Sequence, residues 1–380
     1  MGIVSLLRVE SYDPELVRDS LEKSIESSGF DLTLIKKKVV AVKPNLLTAA
    51  LPEKGLTTHP VFFHQIVKII KDRGGIPVLV ESPAFLPLEK VLKKNGYTEI
   101  IEKEKIRVGD TKKTLSLSNP GSGKFRYFEI AEDFVNADFV FNLPKMKTHG
   151  LTYFTGAVKN FFGLIHGLEK SKYHFRADKP ESFALFIIDL YTAIMKSKMY
   201  GTVLNIMDGI LGLEGEGPGA SGKPVNSCAV IAGMDAVAVD AVAVKTSGLD
   251  PRKALTCIYG SERGAGISDL SEIKITGGSF TDFNNRFLSP EARSGVSGWP
   301  FSSPLFKNAL IEKPVPSPDK CTLCYQCRTI CPADAIGKST DNRIPHYNYS
   351  RCIRCYCCME ICTEAAIELR KSIFQKLIRY

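Results

Sequence analysis

The feature that most constrains this chain is a duplicated cysteine pattern near its carboxyl end. Of the 11 cysteines in 380 residues, all but two lie between Cys321 and Cys362. Four of them have the spacing C-x2-C-x2-C-x3-C, and a proline follows the last one: Cys321, Cys324, Cys327 and Cys331. The same spacing returns 31 residues later in a second set: Cys352, Cys355, Cys358 and Cys362. Because CPADAI at 331–336 also aligns with CTEAAI at 362–367, the segment is an internal duplication.

The spacing has a physical reason. Three cysteines separated by two residues form a tight loop whose thiolates converge on one corner of a cubane, while the fourth thiolate points to the other cubane. The pattern therefore predicts two 4Fe–4S clusters, each with one ligand from the opposite repeat. The first cluster would take Cys321, Cys324, Cys327 and Cys362. The second would take Cys352, Cys355, Cys358 and Cys331. Thr363 replaces the usual proline, which predicts a local loop change without loss of the cluster.

Zinc and disulfides are the competing interpretations of clustered cysteines. Two intact repeats favour clusters over zinc, and a chain with no secretory signature favours metal ligation over disulfides. Over residues 319–368 the sequence resembles the bacterial-type two-cluster ferredoxins. That resemblance implies transfer of single electrons, with a purely structural role as the alternative. Cys357 lies outside the spacing as a spare thiol, and Cys228 and Cys257 are expected to be packed core residues.

The first 110 residues alternate apolar β-branched runs with amphipathic helical patterns. Strands are predicted at 3–9 and 76–82, a strand followed by a loop at 39–47, and helices at 13–29 and 59–75. Further strands are predicted at 136–145, 202–210 and 227–233, and a helix at 235–248. Alternation at this spacing is typical of an α/β fold, with a mainly parallel sheet and flanking helices.

Four parts of the chain are predicted. Residues 1–280 would form the α/β domain, and 281–318, with six prolines and six serines, would form a linker or a surface strap. Residues 319–369 would form a small α+β ferredoxin-like module with two clusters. The basic amphipathic tail at 370–380 is expected to dock on the protein, with a membrane surface as the alternative.

A basic segment stands out in the α/β domain. Lys145, Lys147 and His149 alternate just after a predicted strand, so in extended backbone they share a face and would converge on one anionic group. Lys159 and His166 follow and would complete this catalytic site. The alternative is a solvated basic loop. In addition, VKPNLL at 42–47 ends a strand, at the edge of an α/β sheet where ligands bind.

Acidic residues form a second candidate group. Asp208, Glu214 and Glu216 flank glycines, and such a loop would hold a divalent cation or a proton donor. A turn-rich surface loop is the equal alternative. Asp235 is predicted to cap the following helix, whereas Asp240, among alanines and valines, needs a partner if it is buried.

The stretches NLPKMKTHG…GAVKNFFG and MDGI…EGEGP resemble the domain-of-unknown-function 362 family, over about residues 1–280. The resemblance implies an α/β domain and a redox association, since members often carry a ferredoxin module. GPGASGKP at 217–224 fails as a phosphate loop, because Pro224 replaces the hydroxyl that would reach magnesium and a strand follows. The sequence also has no G-x-G-x-x-G motif after the first predicted strand, so it does not support a nicotinamide cofactor.

The charge pattern argues against nucleic acid as a partner. Net charge is +9, but the excess is spread along the chain instead of forming a basic footprint. No apolar run is long enough to cross a bilayer, and the N-terminus lacks the basic start of a signal peptide. A cytoplasmic protein without a transmembrane segment is therefore expected.

The sequence predicts an oxidoreductase. A soluble low-potential donor, such as a ferredoxin or flavodoxin, would feed the clusters, which would reduce an anionic small molecule bound by the lysines, with His149 or His166 supplying protons. The alternatives are a non-enzymatic electron carrier or adaptor, and a non-redox enzyme whose clusters act as a sensor.

Overall fold

The computed structural model describes residues 2–83, 86–119, 123–167, 169–177, 179–199, 201–290, 308 and 311–370. The predicted tail lies outside the described residues from 371 onward. The predicted linker is described at 281–290, at 308 and at 311–318.

The strands are numbered in chain order: β1 (Gly2–Arg8), β2 (Val39–Pro44), β3 (Ile76–Leu79), β4 (Arg107–Val108), β5 (Thr114–Ser118), β6 (Tyr127–Ala131), β7 (Phe139–Leu143), β8 (Lys145–His149), β9 (Tyr153–Thr155), β10 (Val203–Gly215), β11 (Gly222–Gly233), β12 (Ile273–Thr276), β13 (Lys313–Pro316), β14 (Ile336–Gly337), β15 (His346–Tyr347) and β16 (Ile367–Arg370). The α-helices are α1 (Pro14–Ser27), α2 (Pro60–Asp72), α3 (Leu88–Lys94), α4 (Thr98–Glu104), α5 (Glu132–Val135), α6 (Ala157–Asn160), α7 (Glu169–Arg176), α8 (Pro180–Ser197), α9 (Ala236–Thr246), α10 (Leu255–Glu262), α11 (Gln326–Thr329) and α12 (Cys357–Ile361).

Within the described chain, ten strands form one sheet in the order β12-β1-β11-β10-β7-β2-β3-β4, with β8 beside β10 and β9 beside β8. The run β10-β7-β2-β3-β4 is parallel throughout. β11 is antiparallel to both of its neighbours, β1 and β10. The predicted fold class, a mainly parallel sheet with flanking helices, is confirmed.

Helices cover both faces of this sheet. Strand β2 shows why: Val40 and Val42 enter the core beneath α1 and α2, whereas Ala41 enters the opposite core beneath α8 and α9. Successive side chains of a strand leave opposite faces, so a strand covered on both sides must be apolar throughout. Each fully buried valine contributes roughly 1.5–3 kcal/mol relative to an exposed one.

The sheet order reverses beside β2. From β2 the chain builds outward to β3 and β4, and then returns to place β7 and β10 on the other side of β2. Such a reversal leaves a crevice at the carboxyl ends of the two flanking strands, which is where ligands bind in open α/β sheets. Lys43 near the end of β2 and Asn142 near the end of β7 lie beside each other in register.

The cysteine module, residues 311–370, repeats its backbone as well as its sequence. Three residues of each repeat have left-handed backbone at equivalent positions 31 residues apart: Leu323, Tyr325 and Asp334 in the first, Arg354, Tyr356 and Ala365 in the second. Non-glycine residues rarely adopt positive φ, so the matched positions show that the two repeats share the same unusual backbone conformation. Helices α11 and α12 each lie between the second and third residues of these sets.

Both ends of the predicted linker make contacts within the described residues. Phe287 is buried in the core of the α/β domain, and its amide donates to the carbonyl of Ser247 at 2.9 Å. At the other end, β13 (Lys313–Pro316) pairs antiparallel with β16. Proline is tolerated there because an edge strand leaves one row of amides unpaired. The start of the predicted linker thus packs on the α/β domain and its end pairs with the module, and the domain boundaries stay predictions.

None of the helices in the described ranges combines the length and apolar character needed to cross a bilayer.

Candidate functional site

A cavity of about 90 Å³ lies at the switch point, between the α/β domain and the cysteine module. We call it the interdomain cavity. Its polar lining from the α/β domain includes Asn45, Ser82, Lys147, Lys159, Lys170 and His174. The module closes it with Ile330, Cys357, Glu360 and Ile361. Neither domain alone encloses this space.

Lys147 is held at the cavity by a row of amide side chains. Its ammonium donates to Oδ1 of Asn45 at 2.7 Å and to the carbonyl of Leu56 at 2.9 Å. Asn45 donates to Oδ1 of Asn160 at 3.0 Å, and Asn160 donates to Oδ1 of Asn142 at 2.7 Å. Because the last two amides are buried and bonded, the row fixes the lysine in one position. Burial lowers the pKa of Lys147 well below its usual value.

Lys43 and Glu81 form a buried ion pair behind the cavity, with Nζ and Oε2 2.5 Å apart. Lys43 is fully buried and Glu81 is 3% exposed. Oε1 of Glu81 also accepts from the amide of Ser82 at 2.8 Å. Glycine is required at position 163, since a Cβ there would collide with both charged side chains. Burial lowers the pKa of Lys43, and Glu81 opposes that shift.

Lys170 is a cavity lysine that sequence reasoning missed. It is 7% exposed, and its ammonium donates to the carbonyl of Ser82. Burial lowers the pKa of Lys170 to about 7, with Lys43 and Lys159 acting in the same direction and Glu81 against them. An amine with a pKa near neutrality exchanges its proton readily and is suited to general acid chemistry.

Lys159 projects from the short helix α6 into the cavity. Its ammonium lies 5.9 Å from the ring centroids of both Phe162 and Phe183, within the range of cation–π attraction. Burial lowers the pKa of Lys159.

Asp240 anchors the start of α6. Its carboxylate accepts from the amides of Ala157 at 2.5 Å and Val158 at 3.1 Å. These amides are the partner that a buried Asp240 was expected to need, and burial raises the pKa of its carboxyl group to about 7. A Cβ at position 156 would collide with Asp240, so Gly156 permits the approach. Asp235 caps α9, also as expected, by accepting from the amide of Val237 at 2.8 Å.

His174 brings a neutral imidazole to the cavity wall. Its ring stacks on Phe183 at 4.3 Å and meets the edge of Phe162 at 5.8 Å. Burial lowers the pKa of His174 to about 3, so the ring is uncharged near neutral pH. Within the described residues, its buried Nδ1 has no hydrogen-bond partner.

Glu360 of the module contacts His149 of the α/β domain. Its Oε1 lies 3.5 Å from Nε2 of His149. Nδ1 of His149 accepts from the amides of Leu151 at 3.0 Å and Thr152 at 3.3 Å, so we assign the proton to Nε2, facing Glu360. Gly219 lies against the backbone of Glu360 so closely that any side chain there would collide with it.

Two smaller cavities of about 20 Å³ lie inside the module and are lined by cysteine thiols. The first is lined by Cys321, Cys324, Cys327 and Cys362. The second is lined by Cys331, Cys352, Cys355, Cys357 and Cys358. In each lining, three of the predicted cluster ligands come from one repeat and one comes from the other. Cys357 lines both the second thiol cavity and the interdomain cavity.

The structure separates the five residues predicted as catalytic. It brings Lys147 and Lys159 to the interdomain cavity. Lys145 is instead 2.8 Å from Oδ2 of Asp208 and 2.8 Å from the hydroxyl of Tyr12, which donates to Asp208 at 2.7 Å. His149 faces Glu360, and Nδ1 of His166 lies 3.4 Å from Oγ1 of Thr111. Their catalytic roles stay predictions.

The structure does not assemble the predicted divalent cation site. The carboxylate of Asp208 is fully buried against Lys145, whereas that of Glu214 accepts from the amide of Leu288 at 2.8 Å. Glu216 has interactions of its own. Across the described ranges, no group of three or more His, Cys, Asp or Glu side chains is arranged to hold a single metal ion. Asp208 is unsuited to the predicted role because Lys145 already balances its charge.

The other lining residues that sequence reasoning missed come from distant segments: Glu81, Ser82 and Glu360. Glu81 and Ser82 follow β3, so the carboxyl-end rule for parallel strands would have found them. Glu360 carries no such signal, because only the docking of the two domains places it at the cavity.

Two known proteins are similar to part of this chain. A thylakoid-associated protein of Synechocystis sp. is 31% identical over 250 residues, an alignment that covers 65% of this chain and 75% of the relative. The apoprotein structure of lactate racemase from Thermoanaerobacterium thermosaccharolyticum is 18% identical, with a TM-score of 0.37. That alignment covers 61% of this chain and spans about half (54%) of the racemase chain.

Two family matches cover most of the chain. Residues 313–363 match the 4Fe-4S dicluster domain, so the module is an iron–sulfur domain that binds 4Fe–4S, and both resemblances seen in the sequence are confirmed. Residues 40–245 match the domain of unknown function DUF362. The chain therefore belongs to the DUF362 family and carries a 4Fe–4S dicluster domain after the family domain.

Proposed function

We propose that this protein is an oxidoreductase in which two 4Fe–4S clusters pass low-potential electrons to a small anionic substrate in the interdomain cavity. The observation that carries the proposal is the position of Cys357, which lines both that cavity and the second thiol cavity. A ligand held by the cavity lysines thus lies beside Cys357, which is the sequence neighbour of Cys358 in the second set of four thiols.

The thiols fit the two proposed clusters. The four predicted ligands of each cluster line one small cavity together, and backbone amides support the crossover ligands: Ala335 donates to Sγ of Cys331 and Ala366 to Sγ of Cys362, both at 3.3 Å. Each cluster, when bound, supplies one-electron transfer at a potential set by such hydrogen bonds and by solvent exposure. Cys324 is the exposed member of the first set, which favours electron entry there from a soluble ferredoxin or flavodoxin.

The chain's own residues bind and protonate the substrate. Lys147, Lys159 and Lys170 face the cavity and attract its anionic group. Lys170 supplies protons, since the pKa of about 7 lets its ammonium donate near neutral pH. This role replaces the one expected of His149 and His166, which lie outside the cavity lining. Exposed thiolate-bound clusters require reducing surroundings, so we propose the cytoplasmic side of the cell as the site of action.

The test is reoxidation of the reduced protein. Anaerobically purified protein is reduced with dithionite, freed of excess reductant and mixed with candidate anions, while the visible absorbance of the clusters is followed. A substrate should accelerate reoxidation, and Lys147→Met should abolish the acceleration. Lys172→Gln serves as the control, because Lys172 is exposed on α7 and pairs with Glu169. Equal reoxidation with every anion tested would exclude direct reduction.

The same measurement separates the proposal from a non-enzymatic carrier. A carrier passes electrons to a partner protein and has no use for the cavity. It would show unchanged electron transfer to a redox protein such as cytochrome c in both Lys147→Met and Lys172→Gln, and no acceleration by small anions.

A further inference from the structure

The side-chain charges in the lining of the interdomain cavity do not balance. Lys43 and Glu81 neutralise each other at 2.5 Å. Three further ammonium groups face the cavity, on Lys147, Lys159 and Lys170, and the remaining carboxylate in the lining is that of Glu360. With all three lysines protonated, the described lining therefore carries a net charge of +2. Unbalanced charge in a site of low dielectric constant is costly, and an anion of matching charge relieves it.

The three lysines are oriented by neutral groups that leave hydrogen-bond donors available. Lys147 uses two N–H groups on the side chain of Asn45 and the carbonyl of Leu56, and Lys170 uses one on the carbonyl of Ser82. Lys159 lies over the faces of two aromatic rings. An ammonium has three donors, so with respect to the described residues each lysine has at least one donor available for a ligand. Carboxylates or phosphates accept several such bonds at once.

The cavity also limits the size and character of its occupant. A water molecule needs about 10–15 Å³ of cavity volume, so the cavity of about 90 Å³ holds roughly six to nine non-hydrogen atoms. Apolar side chains complete the wall, among them Leu46, Phe162, Ile330 and Ile361. The buried, unpartnered Nδ1 of His174 adds one polar contact for a ligand. The lining thus suits a compact carbon skeleton that bears two negative charges.

We infer that the interdomain cavity binds a small organic dianion, a dicarboxylate or a phosphate monoester, and, resting on the proposed function, that this is the class of its substrate. Both chemistries present two charges to the three lysines, with the carbon skeleton against the apolar wall.

Calorimetric titration of the anaerobically purified, full-length holoprotein tests this inference. The probes are succinate, methyl phosphate and succinamate, which matches succinate in size but has one charge fewer. At least one dianion should bind about tenfold or more tightly than succinamate, since one unit charge is lost close to the lysines. Preference for succinate would assign a dicarboxylate, and preference for methyl phosphate a phosphate monoester. Failure of both dianions to bind more tightly than succinamate would overturn the inference.

Matched variants locate the binding. Lys159→Met and Lys170→Met should each weaken the preferred dianion about tenfold or more, while Lys159→Arg keeps the charge and most of the affinity. Lys172→Gln, on the same helix as Lys170 but 68% exposed, should bind as the unchanged protein does. The cluster spectrum and thermal unfolding confirm that each variant is folded. Equal binding in all four variants would place the dianion elsewhere and overturn the inference.

Binding and electron delivery fail separately in these experiments. Calorimetry needs no turnover, so dianion binding without accelerated reoxidation would refute the oxidoreductase and leave the ligand class intact. Accelerated reoxidation by a monoanion or a neutral compound would support the oxidoreductase and refute the dianion.

Discussion

The buried pair between Lys43 and Glu81 allows a quantitative prediction about how the site is held together. The two groups are 0% and 3% exposed, with Nζ and Oε2 2.5 Å apart. Glu81→Gln keeps the shape and an oxygen for the amide of Ser82, but leaves the Lys43 charge buried without its counter-ion. Breaking a buried pair on one side costs about 3–5 kcal/mol. We therefore expect Glu81→Gln to lower the free energy of unfolding by that amount.

The double variant Lys43→Met/Glu81→Gln removes the orphaned charge. Methionine has nearly the length of lysine and no charge, so the remaining cost is chiefly an imperfectly satisfied amide, about 1–3 kcal/mol. The double variant should consequently be more stable than Glu81→Gln alone, which is the signature of coupled residues. Lys38→Met with its exposed partner Asp138 unchanged is the matched control, since exposed pairs contribute about 0–1 kcal/mol.

Urea unfolding monitored by two signals provides the measurement. Far-ultraviolet circular dichroism reports mainly on the α/β domain, and the visible absorbance of the clusters reports on the cysteine module. The predicted loss should appear in the first signal at an unchanged slope against denaturant. A Glu81→Gln protein within about 1 kcal/mol of the unchanged protein, or a double variant no more stable than the single one, would refute the buried-pair reasoning.

Three further predictions test other parts of the structure. Cys362→Ser should remove the first cluster, although Cys362 belongs to the second repeat, and should leave about half the iron and sulfide and the electron paramagnetic resonance signal of one cluster. Cys331→Ser should remove the second cluster in the same way. Loss of the same cluster in both variants would contradict the crossover. Gly163→Ala should destabilise by about 1–3 kcal/mol in thermal or urea unfolding because its Cβ collides with Lys43 and Glu81, whereas Gly337→Ala, with nothing nearer than 3.8 Å, should be nearly neutral. Anion binding should weaken as the pH rises through about 7, because the ammonium of Lys170, which faces Lys43, Lys159 and Glu81, loses its proton there. Calorimetry across that pH range should show that the anion affinity of Lys170→Met depends less on pH than that of the unchanged protein.

The sequence was informative wherever one local pattern determined the structure. The duplicated cysteine spacing predicted two sets of four thiols, and the members of each set lie together at one small cavity, because a fixed spacing in a tight loop has few geometries; their binding of two clusters stays a prediction. The alternation of strands and helices predicted the α/β class, and helix caps such as Asp235 follow from local chemistry.

Prediction from sequence was weaker where tertiary packing decides the outcome. Lys145 and Lys147 share a face of β8, as the alternation predicted, yet one is paired with Asp208 from β10 and the other is bonded to Asn45 after β2. Periodicity gives the direction of a side chain but not its partner. Lys170 lies in a segment whose pattern suggests an ordinary exposed helix, and only its burial against Ser82 gives it an unusual acidity.

The proposed function gives a reason for one chain to carry both domains. A free ferredoxin would have to find the lysine-lined crevice by diffusion and would leave it open to water between encounters. In this chain the module itself forms the wall, through Glu360 against His149 and through Ile330 and Cys357 at the cavity. Covalent attachment keeps the effective concentration of that wall high at any protein concentration. It follows that the binding affinity of the cavity and the docking of the module are coupled, so substitutions at the His149–Glu360 contact should alter ligand binding without touching the ligand.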